Sequence, residues 1–331
     1  MTDSTNYYVT TPIYYVNDSP HIGHAYTSLS CDVLARFMRA DGYKVMFLTG
    51  TDEHGQKVEK SAEAAGVAPK EFVDSVSSRF RALGDVMGYS NDDFIRTTEP
   101  RHIKACQEIW SRISSNTAPN SNDSNIYLDK YDGWYSVRDE AFYSEKELIT
   151  EPKSGNLIAP SGSPVEWVEE PSYFFRLSAW QDKLLEFYEA YPNFIAPDSR
   201  RNEVISFVKG GLLDLSISRT SFSWGVPVPG DEKHIMYVWL DALTNYITAA
   251  GFCSKDREKW SQFWPASLHM VGKDILRFHA VYWPAFLMAA GIEPPKRVYA
   301  HGWWTNEGKK ISKSVGNVID PISIVNNYGL D

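Results

Sequence analysis

Two short segments near opposite ends of the chain carry groups suited to gripping phosphate. His21-Ile22-Gly23-His24 offers two imidazoles, and Lys310-Ile311-Ser312-Lys313-Ser314 offers two lysines and two hydroxyls, with Lys309 directly before them. Imidazole N–H and ammonium groups aimed at phosphate oxygens stabilise charge that builds up during displacement at phosphorus. Lysine suits a loop that closes on its ligand, because it acts as a mobile point charge. Each segment alone has an ordinary explanation: a turn with two surface histidines, or a solvated basic loop. In this order and context they imply a nucleotide whose phosphates are held from two sides.

Such groups need a rigid frame. The apolar run Tyr7-Tyr8-Val9-Thr10-Thr11 reads as a buried strand. A helical pattern follows over residues 25–39, with Leu29, Val33 and Phe37 on one apolar face, and Asp41-Gly42 ends it. The histidines therefore fall at a strand-to-helix turn, where free backbone N–H groups and the helix dipole favour an anion. Gly23 lets that anion approach the backbone closely. A strand over residues 44–48 completes a right-handed βαβ unit, and helices are expected over 53–65 and 69–87. A polar breaker cluster at 115–125 closes this first part. From there to about Trp224 the chain turns aromatic and turn-rich, with a helical run over 177–191, and reads as an inserted domain. The strand–helix pattern then resumes with a strand at 268–271, a helix over 275–290 and a strand at 297–300. His301 and the lysine loop follow at that strand's carboxyl end, where open α/β sheets bind ligands.

The bulk properties bound the answer. A length of 331 residues permits one large domain or two to three smaller ones around a well-buried core. No run of about 18 apolar residues occurs, so no membrane-spanning helix is expected. The first residues carry neither an apolar signal core nor an arginine-rich pattern, and the cytoplasm is the expected compartment. Cys31, Cys106 and Cys253 are scattered and form no CxxC pair, which fits a reducing compartment. A net charge of −9 argues against a protein that coats nucleic acid, so any RNA contact must be local.

The two phosphate segments match the HIGH and KMSKS motifs, and the chain resembles the class I aminoacyl-tRNA synthetases, their methionine-specific branch most closely. Further matching stretches run in order: Thr10-Thr11-Pro12-Ile13-Tyr14-Tyr15-Val16-Asn17, Leu48-Thr49-Gly50-Thr51-Asp52-Glu53-His54-Gly55, Val238-Trp239-Leu240-Asp241-Ala242, Gly272-Lys273-Asp274-Ile275 and His301-Gly302-Trp303. Together they span nearly the whole chain. The resemblance implies an α/β fold, a Rossmann-type parallel sheet interrupted by a connective-peptide insertion. Residues 1–115 and 225–331 would be the two halves of the catalytic domain and 116–224 the insertion. It also implies that ATP, with Mg²⁺, activates L-methionine to methionyl-adenylate, releasing pyrophosphate, and that methionine then passes to the 3′ end of tRNA(Met).

In that reaction the methionine carboxylate is itself the nucleophile, so no serine or cysteine is required and catalysis is positioning plus charge stabilisation. The resemblance assigns His21, His24, Lys310 and Lys313 as catalytic donors, with Lys313 as the transition-state contact. Gly23, Gly272, Asp274, His301, Gly302, Ser312 and Ser314 would complete the ATP site, Asp274 on the ribose. Asp52 would pair with the α-ammonium group, in a charge-assisted hydrogen bond. For both aspartates the plainer alternative is a helix cap. Ile13, Tyr15, Trp239, Ala242, Tyr246 and Phe278 align with the apolar pocket for the side chain, with His279 beside them; core packing is the alternative for each aromatic. Aromatic edges near sulfur add only about 1 kcal/mol, so pocket shape must supply the remaining discrimination. Ile311 replaces the usual methionine of its motif at nearly equal volume, and Leu243 stands where many relatives have proline.

One departure concerns metal. Many relatives hold zinc with cysteine pairs in the insertion, whereas Ser136 and Asp139 occupy the first pair's place and residues 158–163 supply no second pair. No zinc or other protein-held metal is expected; aromatic packing around Tyr131, Trp134 and Tyr173 is expected to hold the insertion. The helical anticodon-binding domain implied after the core is absent from the 331 residues, so adenylate formation is expected to be retained and tRNA charging weak. A monomer with no membrane association is expected. Two rival readings stand beside this one. A synthetase for leucine, isoleucine or valine usually carries a far larger editing insertion than residues 116–224 allow. A non-catalytic, synthetase-derived nucleotide-binding protein would be signalled by loss of the HIGH histidines or Lys313, and all are present.

Overall fold

A computed structural model describes residues 5–16, 19–139, 141–151, 154–303, 305–306, 309–310 and 319–330, with only the backbone of 131, 142, 305, 306, 309 and 310. Its first elements are β1 (Asn6–Thr10), β2 (Tyr14–Tyr15), α1 (Ile22–Ala40), β3 (Lys44–Asp52), α2 (Gln56–Ala65), α3 (Pro69–Met87), β4 (Asp93–Arg96) and α4 (Pro100–Ser115). β1 pairs in parallel with β3 on one side and with the strand Leu268–Gly272 on the other. Leu268–Gly272 in turn pairs in parallel with Val298–His301. The strand next in sequence thus lies on one flank of β1 and a strand more than two hundred residues later on the other. That reversal is the switch point at which doubly wound sheets open a crevice at their carboxyl ends.

The α1 helix forms as its periodicity implies but is rotated from the expected packing. Its buried residues are Ala25, Thr27, Ser28, Cys31, Asp32 and Ala35. Leu29, Val33 and Phe37 are 42%, 59% and 63% exposed. Small side chains let the helix lie close to the sheet. A buried carboxylate then fixes its rotation: Asp32 accepts hydrogen bonds from Ser90 N and Ser90 Oγ, both at 2.6 Å, and pairs with Arg36 Nε at 2.7 Å. Burial would raise the Asp32 carboxyl, but these partners outweigh it and hold it below the usual carboxylate range.

Within 116–224 an antiparallel sheet is built on the long pairing of Ile126–Ser136 with Glu166–Phe175. Three further elements of that span, one strand and two helices, belong to the main sheet's side of the molecule. Ile195–Ala196 pairs in parallel with Val298–His301 and adds an edge strand to the seven-stranded main sheet. The helices α5 (Gln181–Ala190) and α6 (Asp198–Lys209) flank it, and Leu184, Tyr188, Val204 and Val208 join the largest core cluster. Just beyond the strand Ile126–Ser136, Asp139 accepts hydrogen bonds from Ser161 and, at 2.9 Å, from Ser163, while Ser136 Oγ accepts from Asp139 N at 3.3 Å. One carboxylate and three hydroxyls, bonded to one another, make a donor set that does not suit tetrahedral zinc. Trp134 meets Trp167 edge-on at 5.4 Å and Tyr173 meets Trp110 at 5.6 Å, while the Tyr131 side chain lies outside the described residues.

The helix expected over 275–290 is broken in three. A 3₁₀ turn at Lys273–Ile275 leads to a π turn at Phe278–Tyr282 and then an α-helix at Trp283–Ala289. Pro284 has no N–H to donate, so a regular helix cannot run through it and restarts there. The extra residue of a π turn re-aims side chains and is common at functional positions; here it places Phe278 and His279.

Candidate active site

The two HIGH histidines cap α1. His21 Nδ1 accepts from Gly23 N at 3.1 Å and His24 Nδ1 accepts from His21 N at 3.1 Å, so the pair forms a reciprocal capping box. The rings stack with centroids 3.8 Å apart. Because each Nδ1 accepts from a backbone N–H, each ring carries a proton on Nε2, at the positive end of the helix. A Cβ on Gly23 would stand 3.0 Å from His21 Cε1, so glycine lets the His21 ring fold back over the turn without crowding. The second motif falls largely outside the described residues. Lys309–Lys310 pairs antiparallel with Thr305–Asn306, and Ile311, Ser312, Lys313 and Ser314 are not described.

The proposed nucleotide side is tied to this turn. His301, at the end of its strand, contacts Thr27 Oγ1 of α1 through Nε2 at 2.9 Å and Gly302 O through Nδ1 at 2.8 Å. Asp274 lies inside the 3₁₀ turn and is not its cap, which is Gly272. Its Oδ1 accepts from Trp303 Nε1 at 3.3 Å, and Lys273 Nζ sits 3.8 Å over the Trp303 ring. A Cβ on Gly272 would meet Asp274 Oδ1 at 2.6 Å. The structure thus brings Gly272, Asp274, His301 and Gly302 together beside the histidines.

The apolar residues converge on α7 (Val238–Ala249) and the π turn. Trp239 stacks on Phe278 at 3.7 Å, and both pack against the main core with Ile13 and Tyr15. His279 Nδ1 donates to Ile275 O at 2.9 Å, which leaves Nε2 to accept from the Tyr246 hydroxyl at 2.7 Å. Burial pushes His279 down to about 4, against the Ile275 hydrogen bond and Asp274. The ring is therefore neutral and its partner hydroxyl committed, so Tyr246–His279 presents a polarisable, uncharged wall. That arrangement suits a neutral thioether.

This burial has a pH signature. With the folded His279 depressed to about 4 from an unfolded value near 6.5, its contribution is fully present above pH ~6.5 and lost as pH falls toward 4, on the order of 3 kcal/mol. Urea titrations between pH 7.5 and 4.5 should show stability falling with pH, and the slope should be shallower in His279→Asn. Equal slopes in the two proteins would refute the assignment.

Asp52 ends β3 and is buried. The helix after it is capped by Gly55, which removes the reading of Asp52 as a helix cap. The segment behind it is fixed on every side. Asp52 O accepts from Val16 N at 3.2 Å, Glu53 O from Trp224 Nε1 at 2.6 Å, and His54 O from Tyr15 Oη at 3.1 Å. The Glu53 side chain accepts from Arg96 Nε at 2.6 Å and Thr98 Oγ1 at 2.6 Å. Trp224, Arg96 and Thr27 carry no local pattern that distinguishes them from core or surface residues, whereas Trp303 belongs to the His301-Gly302-Trp303 match without a role of its own there.

Known proteins identify the family. The family described as tRNA synthetases class I (M) matches residues 7–331. A methionine–tRNA ligase of Rickettsia conorii is 62% identical over 328 residues, covering 99% of this chain and 62% of that protein. One from Mesorhizobium japonicum is 60% identical over 325 residues, covering 98% and 61%. Among solved structures, Mycobacterium tuberculosis methionyl-tRNA synthetase in complex with methionyl-adenylate superposes with a TM-score of 0.93 at 55% identity, covering 98% of this chain and 62% of that one. Its free form gives 0.81 at 51% identity, covering 98% and 60%. The chain spans about three fifths of the length of these relatives. It belongs to the class I tRNA synthetases of the methionine type.

Proposed function

We propose that this chain carries the amino-acid-activating core of a methionine–tRNA ligase. L-methionine and MgATP bind across the crevice at the switch point. The methionine carboxylate attacks the α-phosphorus, a P–O bond to pyrophosphate breaks, and methionyl-adenylate remains. The chain's task is then to hold methionine by Asp52 and the α7 pocket, and to meet phosphate charge with His21, His24 and the lysine loop. Asp274 and His301 flank the nucleoside. Transfer to the 3′ end of tRNA(Met) completes the reaction in the whole protein. The insertion is held by the Asp139–serine knot and its aromatic pairs, without zinc, and the catalytic unit comprises residues on both sides of that insertion together with 195–196.

The observation that carries this reading is the neutral Tyr246–His279 pair, held on α7 and the π turn, the same elements that carry the stacked Trp239 and Phe278. A pocket for a leucine or valine side chain has no use for a buried imidazole. Greater likeness to the adenylate-bound relative than to its free form gives further support. Amino-acid-dependent ATP–pyrophosphate exchange is the test, with methionine, leucine, isoleucine and valine compared and Lys313→Ala as control. Exchange is expected with methionine and to be lost in the control. Exchange driven by one of the branched amino acids instead would replace the pocket assignment, and none at all would favour the non-catalytic reading.

A further inference from the structure

Between the pocket helix and the end of β3 lies a buried cluster that direct contact with substrate does not use. Asp241, in the first turn of α7, accepts from His54 Nδ1 on one oxygen and from His102 Nε2 on the other, both at 2.7 Å. His102 Nδ1 faces Thr248 Oγ1 at 3.2 Å, and that hydroxyl's own proton goes to Thr244 O at 2.9 Å. Cys106 Sγ completes the cluster, 3.2 Å from His102 Nε2. Burial, with Asp241 nearby, pushes the Cys106 thiol well up. Burial would also raise the Asp241 carboxyl, but the charge and hydrogen bonds of His54 and His102 overcome it and hold Asp241 well below the carboxylate range. His102, Cys106 and Asp241 lie close enough to share an ion, and in this structure they meet one another at hydrogen-bond distances, with one Asp241 oxygen on each imidazole.

Its position gives it a role. One partner, α7, carries Trp239, Ala242 and Tyr246. The other, the end of β3, carries Asp52 two residues before His54. His54 also receives the Tyr15 hydroxyl on its carbonyl, so this single residue touches a pocket tyrosine through its main chain and the pocket helix through its side chain. We propose that Asp241 and His54 are positioning residues for the amino-acid substrate, fixing the separation between the ammonium-binding Asp52 and the side-chain pocket on α7. A buried ionic contact is a costly way to stabilise a fold, since apolar packing would do as well. It is an effective way to hold two substrate-contacting groups in register, because its geometry is narrow and directional.

The inference rests on the proposed methionine site, and one experiment separates the two. In the full-length protein, ATP–pyrophosphate exchange would be measured against methionine and ATP separately for His54→Ala, His54→Asn and Asp241→Asn. An asparagine amide places Nδ2 where imidazole Nδ1 lies, so His54→Asn keeps the donor to Asp241. His54→Ala and Asp241→Asn should raise KM for methionine about tenfold while KM for ATP stays within about twofold, and His54→Asn should recover most of the loss. The positioning role is overturned if methionine KM is unchanged in His54→Ala. It is equally overturned if both KM values and kcat move together with no rescue by asparagine, as a merely structural role would give. Should Asp241→Asn fail to fold, the two His54 variants decide alone. Absence of methionine-dependent exchange in the unsubstituted protein would overturn the functional reading and this proposal together; exchange insensitive to His54 overturns only the proposal.

Discussion

In His24→Asn, methionine-dependent ATP–pyrophosphate exchange is expected to lose about 10³-fold in kcat while KM for ATP and methionine stays within about threefold. The choice of asparagine follows from the cap. His24 does two things in this reading: its Nδ1 accepts from His21 N, and its Nε2–H would meet phosphate oxygen. An asparagine Oδ1 can still accept from His21 N, so α1 keeps its N-terminus, but no group reaches the place of Nε2. A donor that acts on charge present only in the transition state lowers kcat when removed and leaves ground-state binding nearly intact. His24→Ala should match it in kcat and also lower Tm, since cap removal costs about 1 kcal/mol. A fall in kcat of less than tenfold in His24→Asn would mean that the histidines serve the cap and little else.

Much of this site was legible in the sequence because its parts occupy special positions along the chain. A histidine pair after an apolar run, before a helical pattern, marks a strand-to-helix turn whatever the rest of the fold does. The carboxyl-end placement of Gly272, Asp274 and His301 followed from short apolar runs with the same logic. What the sequence hid were features decided by tertiary contact. The exposed Leu29–Val33–Phe37 face reads as a core stripe until one knows that Asp32 is anchored by Ser90, fifty-eight residues away. The π turn at Phe278 has no periodicity of its own and looks like an unbroken helix. Ile195–Ala196 is too short to declare itself a strand and lies within a stretch of otherwise different character. His102 sits in an amphipathic helix as an ordinary buried residue, and only its 2.7 Å contact with Asp241 gives it significance.

The complementary prediction concerns the other end of the substrate. Asp52→Asn should lower kcat/KM for methionine by about 10³-fold, with KM for ATP unaffected. Asparagine is nearly isosteric, so the backbone anchors of this segment, Val16 N on Asp52 O and the Tyr15–Asp52 register of β2 with β3, should persist and Tm should move little. What changes is charge. A methionine ammonium entering a site with Asp52 ionised exchanges water for a buried ion pair, whereas with an amide it is desolvated without compensation. Asp241 is a poor substitute, because its charge already faces His54 on one oxygen and His102 on the other. The same argument predicts a loss of discrimination. The unsubstituted protein should bind methionine far better than the analogue lacking the amine, and Asp52→Asn should bring the two inhibition or binding constants within about tenfold of each other. If the variant still prefers the amine by the original margin, the ammonium is held elsewhere, and the methionine must lie in a different orientation along α7.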